Sequence, residues 1–318
     1  MNFASLCLAI AAALLVQCDQ PLVSHGWSHD LDYYIGRRMI SSVMFEHRVE
    51  ELSLLSKGRR LNFLIIGACD GTHDRLIASL LDNETNGHWR AVLVEAVPRT
   101  FDSLLNNTKR ASHRLGYLNV AADGSCDTPT KKISFINVKS SGSLKGSLPH
   151  WFTHEIATID PNLTEGVSHF LQNSQAKSSR LRLNEWGGAN NSVALEDLEY
   201  VTQDVQCITG SDLLLNATRM LGGAHIHVVK IDAEGRDYAI SSSMLQLLAV
   251  AREKTQKKTL LPERPLLIEV ECKFMSNDQR TWLRKMAYSV GYNSTLSNPR
   301  YARFTRNDCI FFLDSWQR

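Results

Sequence analysis

Residues 62–74, NFLIIGACDGTHD, leave the chain few ways to fold. A short apolar run reaches Gly67, a turn of small residues runs to Gly71, and an amphipathic run begins at Asp74. Strand, glycine-bearing turn, then helix predicts the opening of a βαβ unit. In such a unit, small residues let the main chain approach a ligand closely, and the helix N-terminus lies beneath it. The loop therefore reads as the floor of a nucleotide-type pocket.

The rest of the chain repeats the alternation. Strands are predicted at Phe63–Ile66, Ala91–Val94, Leu115–Ala122, Lys131–Val138, Val201–Ile208, His227–Ile231 and Leu266–Val270, with closing strands at Tyr292–Ser294 and Cys309–Leu313. Helices are predicted at about 74–81, 98–107, 211–220, 237–250 and 277–290. This order implies an α/β fold, a mostly parallel sheet with helices on both faces. Functional residues then belong at the carboxyl ends of strands. Asp70, Glu95, Asp123, Asp232, Glu234 and Glu271 all fall there. Residues 25–60 read as a helical lead-in, and 61–318 as the main domain. Residues 139–200 break the rhythm and read as a lid-like insertion, with Trp151 and Trp186 as sugar-stacking or lid-core residues and His150 and His154 as secondary base candidates.

The ends and the charge narrow the setting. Residues 3–16 are almost entirely apolar and read as the core of a signal peptide spanning 1–18, with a short uncleaved anchor as the alternative. The run is short for a membrane span, which takes about 20 residues. Six N-glycosylation triplets, starting at Asn83, Asn106, Asn162, Asn190, Asn216 and Asn293, agree with a secretory route. A formal net charge of +2 argues against a general nucleic-acid binder. Beyond residue 18, Cys69, Cys126, Cys207, Cys272 and Cys309 form no CxxC pair and read as scattered buried thiols, with one disulfide at most. No acid or histidine cluster has metal-ligand spacing, so no metal is expected.

Two features select the cofactor. Glu95 follows Gly71 by 24 positions at a strand end, where a carboxylate accepts both hydroxyls of a ribose. The loop lacks the third glycine of a dinucleotide site and carries Asp70 and Asp74, which would repel a pyrophosphate. A cationic, phosphate-free cofactor suits it, and S-adenosylmethionine has that chemistry. A nicotinamide-dependent oxidoreductase is the disfavoured alternative, and a ligand-binding protein without turnover is the other.

The segments IIGACDGTHD, WRAVLVEAVPRTFDSL, LNVAADG, VQCITGSDLLL, HVVKIDAEGRDYAI and LLIEVECK, in this order over about 62–313, resemble the FkbM-type S-adenosylmethionine-dependent methyltransferases. The resemblance implies a class I methyltransferase sheet of seven strands with the last antiparallel, and methyl transfer to oxygen, often a hydroxyl of a sugar or small metabolite. It implies that Gly67, Ala68, Asp70 and Gly71 line the methionine and ribose part of the cofactor. Glu95 would hold the ribose, Ala96 and Val97 would flank the adenine, and Asp123 would lie at the adenine edge. Asp232 and Glu234 would face the methyl group and the acceptor. Asp70 stands where Asn is usual, and Cys272 where His is frequent, so no role passes to that histidine. An alcohol acceptor must lose a proton, which makes Asp232 or Glu234 the first choice of base. Lys230, inside an apolar strand, is expected to pair with one of the acids.

Overall fold

The first strand, β1 (Leu61–Ile66), is buried at every position. A central parallel strand covered on both faces needs such a continuous apolar run. In chain order there follow α1 (Arg75–Asp82), β2 (Trp89–Val94), α2 (Pro98–Thr108), a 3-10 turn (Lys109–Arg114), β3 (Leu115–Leu118), β4 (Ala121–Asp123), β5 (Thr130–Val138), β6 (Ala157–Thr158), β7 (Arg180–Arg182), β8 (Ser192–Ala194), β9 (Leu198–Thr209), α3 (Gly210–Met220), β10 (Val228–Ile231), α4 (Asp237–Lys254), β11 (Leu267–Glu271), α5 (Asn277–Val290), β12 (Tyr292–Ser294) and β13 (Asp308–Leu313). This computed structural model describes residues 49, 60–72, 74–82, 88–138, 157–158, 180–182, 192–194, 198–254, 263–272, 274–294 and 308–313. All of them belong to one compact unit, residues 37–318. The expectations for 1–18, for nearly all of 25–60 and for His150, Trp151, His154 and Trp186 lie outside the described residues.

Seven strands form the main sheet in the order β12-β13-β11-β10-β1-β2-β3. Neighbours pair in parallel except β13, which runs antiparallel to both β11 and β12. That is the class I methyltransferase sheet, antiparallel last strand included. Successive side chains of a strand point to opposite faces, and two cores follow from this. Phe63 and Ile65 join Leu76 and Ile77 of α1 and Leu104 of α2 on one side. Leu64 and Ile66 join Leu213, Ile240, Leu248 and Leu283 of α3, α4 and α5 on the other. Among the described residues, no helix is long and apolar enough to cross a membrane.

Two expectations need correction. The predicted strand Leu115–Ala122 is two strands in two sheets. β3 ends the main sheet, whereas β4 pairs in parallel with β9 in a separate sheet of order β4-β9-β5-β6. The switch happens at Asn119, whose side-chain amide donates to the carbonyls of Glu95 (2.8 Å) and Ala96 (3.2 Å). β2 has turned away there toward Pro98, so β3 has no ladder left to extend. The predicted strand Val201–Ile208, now β9, therefore belongs to the second sheet, and Asp123 ends a strand of that sheet.

The second correction concerns sulfur. Cys126 is bonded to Cys207 and Cys272 to Cys309, which leaves Cys69 outside a disulfide among the described cysteines. The first bond bridges the start of the second sheet to β9, where Ala121 faces Cys207. The second ties the end of β11 to β13, where Cys309 faces Val270. The fold brings each pair together, which is invisible in separations of 81 and 37 residues.

Candidate active site

The site lies at the carboxyl ends of β1, β2, β10 and β11. The main-chain N–H groups of Gly67 and Ala68 both donate to the Val94 carbonyl at 3.0 Å, and Asp232 N–H donates to the Ile66 carbonyl at 3.0 Å. Three strand ends are thus fastened together. Gly67 has φ +79°, and a Cβ there would lie 1.7 Å from the Asp232 carbonyl oxygen. Only glycine fits, for conformation and for space. Gly71, at φ +76°, is packed against Leu104 and Thr108 in the same way.

Glu95 is buried and reaches back to this loop. One carboxylate oxygen accepts the Cys69 N–H at 3.0 Å and the other accepts the Val97 N–H at 2.9 Å. Burial pushes its carboxyl up to about 7, the backbone N–H groups of Val97, Cys69 and Ala96 oppose that, and the charge of Asp70 adds to it. Cys69 itself has φ 51°, an uncommon value for a residue with a side chain. Val97 is buried and Ala96 half-buried beside Glu95, both on the main chain that Asn119 pins.

The two acids of the loop have partners. Asp70 accepts from the Thr72 N–H and hydroxyl, each at 2.9 Å, and its carbonyl accepts from Asn107 at 3.0 Å. Asp74 caps α1 by accepting the Ile77 N–H at 2.9 Å, and its other oxygen pairs with the Lys230 ammonium. Lys230 also lies 3.9 Å from Asp232. The expected pairing of Lys230 with an acid is present. The sequence-based charge argument changes as a result, because Asp74 is already paired with Lys230.

Two further acids lie on the turn after β10. Asp232 and Glu234 are half-buried there, and Glu234 has φ 44° ahead of Gly235 at φ 97°. Asp237, the first residue of α4, holds the turn by accepting the N–H groups of Ala233 (2.7 Å) and Gly235 (3.0 Å). Burial pushes the Asp237 carboxyl up to about 7, the nearby charge of Asp232 adds to this, and the accepted N–H groups oppose it. Sequence reading missed Asp237, although an acid at a helix start after a Gly-containing turn is a capping signal. It also missed Arg236, which donates to Asp123 at 3.0 Å, while Lys131 stands 3.3 Å from the other Asp123 oxygen. Asp123 is thus a buried anion shared by two cations, and it links the second sheet to the turn.

Glu271 arrives from the end of β11 and completes a trio. One oxygen from each of Asp232, Glu234 and Glu271 lies within 4.8 Å of the others, a set that could hold a cation. Linear spacing could not reveal this, because the third acid comes from the neighbouring strand. The structure therefore brings Gly67, Ala68, Asp70, Gly71, Glu95, Ala96, Val97, Asp232 and Glu234 to the carboxyl end of the main sheet, with Asp123 joined to them through Arg236.

Among known proteins, the family model described as "Methyltransferase FkbM domain" matches residues 66–290. No curated protein and no solved structure matches the chain.

Proposed function

The chain belongs to the FkbM methyltransferase family, and from that premise we propose that it moves a methyl group from S-adenosylmethionine to a hydroxyl of a glycan or small metabolite in the secretory pathway. The observation that carries this reading is the contact of Gly67 with the Asp232 carbonyl. It sets the glycine loop and the acid turn side by side, one suited to a cofactor and the other to an acceptor.

The residues present fit such a cofactor. The Gly67–Gly71 loop offers close main-chain approach, and Glu95, already fixed by two N–H groups, offers its remaining lone pairs to a ribose diol. Ala96 and Val97 form an apolar flank for a base. Asp70 stands near the methionine end, and Asp123 acts from a distance by holding Arg236. When bound, S-adenosylmethionine supplies a methyl group activated by a sulfonium. Asp232 and Glu234 orient the acceptor hydroxyl, and one of them takes its proton. Positioning of this kind supplies much of the rate of a displacement reaction.

The secretory setting draws support from the apolar stretch 3–16, the six glycosylation triplets and the two disulfides, since disulfides persist in oxidising compartments. Calorimetric titration with S-adenosylmethionine and with NAD(P), followed by a labelled-methyl screen over sugars, glycans and lipid-linked hydroxyls, tests the reading. Cofactor binding without transfer to any acceptor would favour a ligand-binding protein. Binding of NAD(P) alone would favour the oxidoreductase.

A further inference from the structure

Lys230 stands in the middle of β10 between Val229 and Ile231, both fully buried. It faces Glu269 across the β10–β11 register, pairs with Asp74 at the start of α1, and lies 3.9 Å from Asp232. Burial acts to strip its proton, but the charges of Asp74, Asp232 and Glu269 overcome that and hold the ammonium above its ordinary range. One fixed positive charge is therefore shared between the cap that follows the glycine loop and the first acid of the turn.

We propose that Lys230 is a positioning residue that sets the net charge presented to the cofactor sulfur. In this role it limits how strongly the site prefers the sulfonium cofactor to its demethylated product. The proposal rests on the S-adenosylmethionine reading above. S-adenosylmethionine and S-adenosylhomocysteine differ by one methyl group and one positive charge on sulfur, so a nearby charge acts on one and not on the other. With Lys230 in place, part of the field of Asp74 and Asp232 is spent on its ammonium, and the neutral product is not strongly disfavoured. Without Lys230, the same carboxylates face the ligand uncompensated by it, and the sulfonium gains relative to the thioether.

The experiment is calorimetric titration of the wild-type protein, Lys230→Met, Lys230→Arg and Asp74→Asn with each of the two ligands. The ratio of the product Kd to the cofactor Kd is expected to rise roughly threefold or more in Lys230→Met, a factor within reach of one charge at site dimensions. It should return to the wild-type value in Lys230→Arg. Asp74→Asn keeps a good capping residue while removing one negative charge, so there the ratio should fall. A purely structural role would weaken both ligands by the same factor and leave the ratio unmoved, which would overturn the proposal. If Lys230→Met does not fold, the Asp74→Asn ratio decides alone, and a ratio equal to wild type overturns it. If the wild-type protein binds neither ligand, the cofactor reading itself fails and takes the proposal with it.

Discussion

Glu95 accepts the main-chain N–H of Cys69 at 3.0 Å across 26 residues of sequence. The residue read as the ribose ligand is thus also the peg that fastens the glycine loop to the end of β2. Replacing Glu95 with Ala is expected to weaken S-adenosylmethionine binding by about 1–3 kcal/mol, the usual cost of losing hydrogen bonds to a charged group. Calorimetry measures this directly, and an unchanged Kd would remove Glu95 from the cofactor site.

The same carboxyl gives the protein a pH signature. Burial raises Glu95 from 4.5 to about 7, and Asp237 from 3.8 to about 7. Between those limits the folded state binds more protons than the unfolded state, so folding stability falls as pH rises through the window. Cofactor affinity should move the opposite way and rise through about pH 7 as Glu95 ionises. Denaturation midpoints and titrations from pH 5 to 8 check both signs. In Glu95→Gln the affinity should lose this pH dependence.

Asp237→Ala would leave the N–H groups of Ala233 and Gly235 without their acceptor, in a turn where Glu234 already has positive φ. Two orphaned donors imply a stability loss of about 2–4 kcal/mol. Urea denaturation would register it. Methyl transfer should fall further than cofactor affinity does, because the turn carries Asp232 and Glu234.

The two disulfides close loops of 81 and 37 residues. Loss of either is expected to cost about 2–4 kcal/mol. Thiol counting on protein that begins after residue 18 should find one thiol outside a disulfide, Cys69, before reduction and five thiols after it. Five thiols in the protein as isolated from secreted material would refute both bonds.

Asp232, Glu234 and Glu271 are close enough to share a cation, but the Lys230 ammonium already stands 3.9 Å from Asp232. Methyl transfer is therefore expected to persist in EDTA. Activity lost to the chelator and restored by a divalent metal would assign the trio to a metal instead.

The sheet was legible because its strands are apolar runs closed by acids and its helices carry a 3.6-residue rhythm. The positions of Glu95, Asp232 and Glu234 were legible because each closely follows an apolar strand. The break between β3 and β4 was not, since the apolar pattern of Leu118 to Ala122 runs on while a single side chain, Asn119, diverts the main chain. Asp237 was overlooked because a first-turn helix acid looks like any cap until its partners are known. Glu271 joined the other acids only through the pairing of β10 with β11, and the cysteines met only through the fold. Asp74 was visible as a charge, but its neutralisation depended on a lysine 156 residues away.

The pairing of β5 with β9 has a consequence for how such an enzyme changes. Asn137 faces Glu199 and Val138 faces Leu198, so the two ends of the segment between them are held side by side. Each doubling of a loop whose ends are already joined costs only about 0.6 kcal/mol. That segment can therefore lengthen or shorten at little cost to the two strands that close it.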